Sequence, residues 1–182
     1  VNQAPGLRLW ARLLVIAAVS CAAYPASAEV RASAANGFDV ASIATVRASP
    51  DKVYAAIGQA GRWWDPVHSY SQNPAANMTI DLRAGGCLCE RIPGGGSALH
   101  LRVAFVTPTR IVLRGAMGPL KSEGLDGALS FVLTPAGTGT RIEMRYAVGG
   151  FMAGGVDKIA APVDGVITGL LGRLAAYVDR PR

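Results

Sequence analysis

Few side chains in this sequence are suited to chemistry, and they cluster. His68 and His100 are the only histidines, Cys87 and Cys89 flank one residue, and Glu90 follows at once. Just ahead lies Trp63-Trp64, with Tyr70 close behind. A histidine or a carboxylate set in an apolar pocket is suited to acid/base work, since both titrate where proton transfer is useful. Two histidines exclude a multi-histidine metal centre. A zinc site from Cys87, Cys89 and His68 would need thiolates, which are uncommon in exported chains, so no metal and no cofactor is expected. The two cysteines are either buried thiols or a disulfide. Alternate residues of a strand lie roughly 6.5–7 Å apart, at the upper edge of bridging distance. The sequence has no nucleophile elbow, phosphate-binding loop, zincin helix or dinucleotide fingerprint.

These residues sit on strands and loops whose pattern is legible. Residues 37–48 alternate, with Phe38, Val40 and Val46 apolar, and predict a first strand. Ser49-Pro50-Asp51 opens a helix: a capping hydroxyl, a proline suited to the first turn and an acid facing the dipole's positive end. Alternating runs follow at 78–83, 87–92, 98–106, 110–115, 128–133 and 141–148, separated by short Gly- and Pro-containing spacers. They predict an antiparallel meander. Residues 156–178 place apolar side chains on one broad helical stripe, with Pro162 expected to kink it and three glycines weakening it. The order specifies an α+β domain: a curved antiparallel seven-stranded sheet wrapped around a long C-terminal helix, with a core or cavity between them.

Strand parity sorts the side chains. Leu99, Leu101, Val103 and Phe105 are expected inside, with His100 and Arg102 outside. Leu129, Phe131 and Leu133, and Ile142, Met144, Tyr146 and Val148, form further inward sets, opposite Arg141, Glu143 and Arg145. Residues 87–92 resist sorting. Either Leu88, Glu90 and Ile92 face in, making Glu90 a buried carboxylate and a site candidate, or the cysteines do and Glu90 is a surface charge.

The N-terminus reads as an export signal. Arg8 and Arg12 precede an apolar run over residues 13–19, and Ala26-Ser27-Ala28 offers a cleavage site before Glu29. Residues 1–28 are thus expected to be removed in a periplasmic or secreted protein; lipoprotein processing at Cys21 ranks lower. The run falls short of the roughly 20 residues that span a bilayer, and no later stretch is expected to span one. Residues 29–36 are small and polar and predict a flexible arm before a single domain at 37–182. The formal charge of +6 is spread without a basic block, which argues against nucleic-acid binding.

The order of elements, the run 61–70 and the segments 85–90, 115–120 and 146–150 resemble the START-like (SRPBCC) superfamily, its polyketide cyclase/dehydrase and lipid-transport group in particular. That resemblance covers about residues 38–180 and implies a helix-grip fold with a hydrophobic cavity, and activities from lipid carriage to cyclase chemistry. The expected partner is a small hydrophobic or amphipathic ligand. The wall residues are Leu101, Phe105, Phe131, Met144, Tyr146, Ile167 and Leu171. Trp63, Trp64 and Tyr70 stand near the mouth, one indole packed inward and the other at the opening. Alternatives are a cyclase or isomerase using His68 or Glu90, and an envelope interaction module anchored on an exposed tryptophan.

Overall fold

The structure, a computed structural model, describes Val1, residues 27–71 and residues 75–180. The expected signal, Cys21 included, lies outside the described residues except at Val1, Ser27 and Ala28. Strand β1 (Ser27–Ala34) turns at once into β2 (Gly37–Val46). Helix α1 (Pro50–Ile57) and the single turn α2 (Ala60–Trp63) then carry the chain to the far edge of the sheet. There β3 (Met78–Ile80), β4 (Cys87–Arg91), β5 (Ser97–Thr107), β6 (Arg110–Arg114), β7 (Gly124–Ala136) and β8 (Gly139–Phe151) return as a meander. A 3₁₀ turn over Val156–Ile159 leads into α3 (Ala160–Val178).

All pairings are antiparallel, in the order β1-β2-β8-β7-β6-β5-β4-β3. The sheet therefore has eight strands among the described residues, not seven. The extra one is β1, which corrects the expected flexible arm. Its side chains carry no apolar alternation to announce a strand, because an edge strand gains its hydrogen bonds from β2 and leaves residues 29–34 in water. Arg31 on β1 ties to Glu143 on β8 across β2, at 2.9 Å.

Helix α3 closes the concave face. Ile167, Leu170, Leu171 and Leu174 are fully buried against the sheet, each contributing about 1.5–3 kcal/mol of burial free energy. Ser42 on β2 and Thr168 on α3 share a hydrogen bond of 2.5 Å. At the helix end the Asp179 carboxylate accepts the backbone N–H groups of Arg47 and Ala48. Pro162 does not fall in a helix interior as expected. It lies in the first turn of α3, where its missing N–H has no intrahelical partner to lose. The segment Val156–Val178 is also, by length and composition, apolar enough to cross a membrane, contrary to the expectation that no later stretch is. Its exposed positions are the charged Asp157, Lys158 and Arg173 with Ala161, Pro162, Gly165, Gly169 and Ala176 between them, and its large apolar side chains go to the core and the cavity wall.

Candidate functional site

Strand β5 makes the site by breaking its own alternation. Leu88 pairs with Leu101 and Cys89 with Leu99, so His100 is an extra residue on β5. Such a bulge turns consecutive side chains to one face. His100 is consequently 3% exposed and faces inward beside Leu101, while Leu99 is 42% exposed. A second shift between Val103 and Phe105 puts Phe105 outside at 48% exposure. These are corrections: His100 is not an outer-face residue, and Leu99 and Phe105 are not inward ones.

On neighbouring β4, Leu88 and Glu90 point inward. Glu90 is 1% exposed and fully hydrogen-bonded. Its Oε1 accepts the Ser71 amide at 2.7 Å and the Ser71 hydroxyl at 2.5 Å; its Oε2 accepts the Tyr70 amide at 3.0 Å and meets His100 Nε2 at 2.9 Å. Burial works against the charge, but the donors from Ser71, Tyr70 and His100 outweigh it and hold the carboxyl at about 2. An ionised carboxylate only accepts, so Nε2 of His100 carries the proton. Burial, aided by the Lys121 charge and opposed by Glu90, keeps the imidazole below its usual pKa and thus neutral near pH 7. Nδ1 is then a lone-pair acceptor, and no hydrogen bond holds it among the described residues. The Tyr70 ring stacks on the imidazole, with centroids 5.5 Å apart and planes within 14°.

Lys121 holds the bulge from behind. It lies in a 3₁₀ segment, Gly118–Ser122, and its ammonium donates to the carbonyls of Leu99 (2.6 Å), His100 (3.2 Å) and Ala116 (3.0 Å). Three N–H donors meet three carbonyls, two of them on the bulge itself.

A cavity of about 460 Å³ opens between this corner of the sheet and the first half of α3. Its walls include His100, Tyr146 and Trp64, the segment 117–120, and Ile159, Val163, Val166 and Ile167 of the helix side. Of the expected ligand contacts, Trp64, His68, Tyr70, Tyr146 and Ile167 line it. Leu101, Phe131, Met144 and Leu171 are completely buried in the solid core instead, in one cluster with residues of α1, α3 and the other strands. Glu90 backs the cavity through His100 without lining it.

Of Trp63 and Trp64, Trp64 lines the cavity and Trp63 does not, but neither stands open at a mouth. Both are buried, with ring centroids 5.6 Å apart. The break in backbone direction after the single turn α2 lets adjacent indoles meet with their planes tilted by 49°. Trp63 donates to the Ala56 carbonyl and Trp64 to that of His68, both at 2.9 Å. Arg173 of α3 donates to the carbonyls of both tryptophans, which docks the segment under the helix. Neither indole is an exposed anchor, which removes the basis for the interaction module. The His68 side chain is exposed at the rim beside Val67, itself 80% exposed.

Tyr146 is fixed on both sides: its hydroxyl donates to the Gly115 carbonyl and accepts the Met117 amide. Gly115 has φ +133°, and a Cβ at Gly127 would meet the tyrosine ring at 2.8 Å. Cys87 and Cys89 are bridged, their Cα atoms 5.4 Å apart, closer than the regular strand spacing assumed. Among the described residues no group of His, Cys, Asp and Glu is placed to hold a metal.

The residue that sequence reasoning missed is His100, together with Lys121. Parity alone put the histidine outside, and no residue type in 97–107 marks the bulge.

A profile of the family described as polyketide cyclase / dehydrase and lipid transport matches residues 37–179. No curated protein matches the chain. Among solved structures, Mll3558 from Rhizobium loti is 27% identical, covering 77% of this chain and 96% of its own, with a TM-score of 0.55. CalU16 from Micromonospora echinospora is 17% identical, covering 86% and 85%, also at 0.55. StfQ, a di-domain ARO/CYC from the steffimycin biosynthetic pathway, is 14% identical, covering 79% and 51%, at 0.52. The last two likenesses are of fold.

Proposed function

This chain belongs to the polyketide cyclase / dehydrase and lipid transport family, of START-like (SRPBCC) fold, and on that premise we propose that it is an exported binding protein for a small, mostly apolar molecule. The observation that carries this is the cavity of about 460 Å³ between sheet and α3, whose walls are apolar apart from a few aromatic and polar side chains. That volume and lining fit a small-molecule site. Export is supported by the N-terminal signal pattern and agrees with the Cys87–Cys89 bridge, a bond favoured in oxidising compartments. Cleavage after Ala28 would leave Glu29 and the rest of β1 in place on β2.

Gentle purification of the full chain followed by native mass spectrometry and solvent extraction is expected to yield a bound apolar molecule. A chain that comes out empty and takes up no apolar probe would end this reading. The intact mass of the exported protein checks the cleavage point.

A second reading, a cyclase- or isomerase-like enzyme, is favoured by one observation, the Glu90–His100 pair, whose histidine lines the cavity and makes no hydrogen bond through Nδ1. His100 is then the base and Glu90 its positioning residue, while His68 takes no part. Exchange of α-protons of bound 2-tetralone with deuterated solvent, abolished in His100→Phe, is the expected sign. Exchange at the uncatalysed rate would leave binding alone.

A further inference from the structure

Six side chains bring polar atoms to the cavity: Trp64, His68, Ser69, Tyr70, His100 and Tyr146. Four have already committed their donors. Trp64 Nε1 donates to the His68 carbonyl, and the Ser69 hydroxyl to that of Pro66. The Tyr70 hydroxyl donates to the Gly118 carbonyl, and the Tyr146 hydroxyl to that of Gly115 while accepting the Met117 amide. His68 lies exposed at the rim, where water competes for its ring. The Ser69 and Tyr70 hydroxyl oxygens keep lone pairs beside the bonds they donate, but the acceptor left with no hydrogen bond at all is Nδ1 of His100, and in the neutral ring it carries no proton while Glu90 holds that proton on Nε2. Burying that lone pair beside a ligand with nothing to donate forfeits its access to water, and an unmade hydrogen bond in an apolar site is costly.

Resting on the binding reading above, we infer that the cavity selects apolar molecules carrying a hydroxyl, whose O–H is donated to Nδ1 of His100. The specificity is for a hydrogen-bond donor. Ethers and hydrocarbons of the same shape are disfavoured because they leave the imidazole lone pair unpaired. Glu90 acts as a positioning residue that fixes the tautomer, and Tyr70 holds the ring plane by stacking.

The test uses the delipidated full chain and two probes of nearly equal size, 1-naphthol and 1-methoxynaphthalene, in calorimetric titrations. The naphthol is expected to bind about tenfold more tightly, the worth of one buried hydrogen bond, and the gap should close in His100→Phe. Equal affinities, or a gap that survives His100→Phe, would overturn the inference while leaving the binding reading intact. If neither probe binds, both fall. Because His100→Phe disturbs a buried pair, the wild-type protein labelled with ¹⁵N-histidine gives an independent readout. His100 is expected as the Nε2–H tautomer, with its Nδ1 resonance shifting when 1-naphthol is added. An Nδ1–H tautomer, or an Nδ1 resonance unmoved by bound naphthol, would refute it.

Discussion

The β7–β8 hairpin and the β4–β5 pair are both antiparallel, yet they carry different duties. β7 and β8 pair from Gly124–Phe151 to Ala136–Gly139 without a register shift, and their inward residues Leu129, Phe131, Leu133, Ile142, Met144 and Tyr146 are all buried. β5 slips once against β4 and again against β6, and its inward face mixes Leu101 with His100. An unbroken ladder gives a close-packed apolar layer. A bulged one aims a polar side chain into the interior, and that side chain then needs partners that a regular ladder lacks. Glu90, Ser71, Tyr70 and Lys121 are those partners.

The comparison can be broken first at Glu90. Glu90→Ala should destabilise the domain by about 3–5 kcal/mol, because the Ser71, Tyr70 and His100 donors lose their common acceptor in a buried site; chemical denaturation measures it. The same carboxylate makes stability acid-sensitive. Its folded pKa of about 2 lies below its ordinary 4.5, so its contribution is complete above pH 4.5 and lost as pH falls towards 2. The loss is no more than about 3 kcal/mol. His100, also lowered, begins to cost stability once pH drops below 6.5, where the unfolded chain takes up the proton first. Glu90→Gln should remove the lower of these two steps in a pH series of melts.

Met144→Ala sharpens the contrast from the other side. It should cost about 2–5 kcal/mol as a core truncation and leave the His100 tautomer, read by ¹⁵N NMR, unchanged. A shift of the imidazole signals would mean that the two regions are coupled. Lys121→Met keeps the aliphatic stem but removes three hydrogen bonds to carbonyls, and should cost about 1–3 kcal/mol. It should also weaken the preference for 1-naphthol over its methyl ether, since the bulge that aims His100 loses its brace. Methionine at 121 with the preference intact would reduce Lys121 to a structural contact.

The order of elements, the inward faces of β7 and β8 and the apolar stripe of α3 were legible because each follows a period of 2 or 3.6 imposed by backbone geometry on neighbouring residues. The run around Trp63-Trp64 and the pairing of cysteines near Glu90 marked the right corner of the molecule. Three things were decided only in three dimensions. β1 exists because β2 offers it an edge, and its own side chains carry no pattern. Leu101, Phe131 and Met144 became core and not cavity wall because they join one buried cluster with residues of α1 and α3 that lie far away in the chain. His100 turned inward because one extra residue was accommodated opposite β4, and the carbonyls so exposed were claimed by Lys121, 21 positions later. Periodicity reports what a strand does along its own length, whereas a bulge is a property of two strands together, set by the partners that satisfy the groups it displaces.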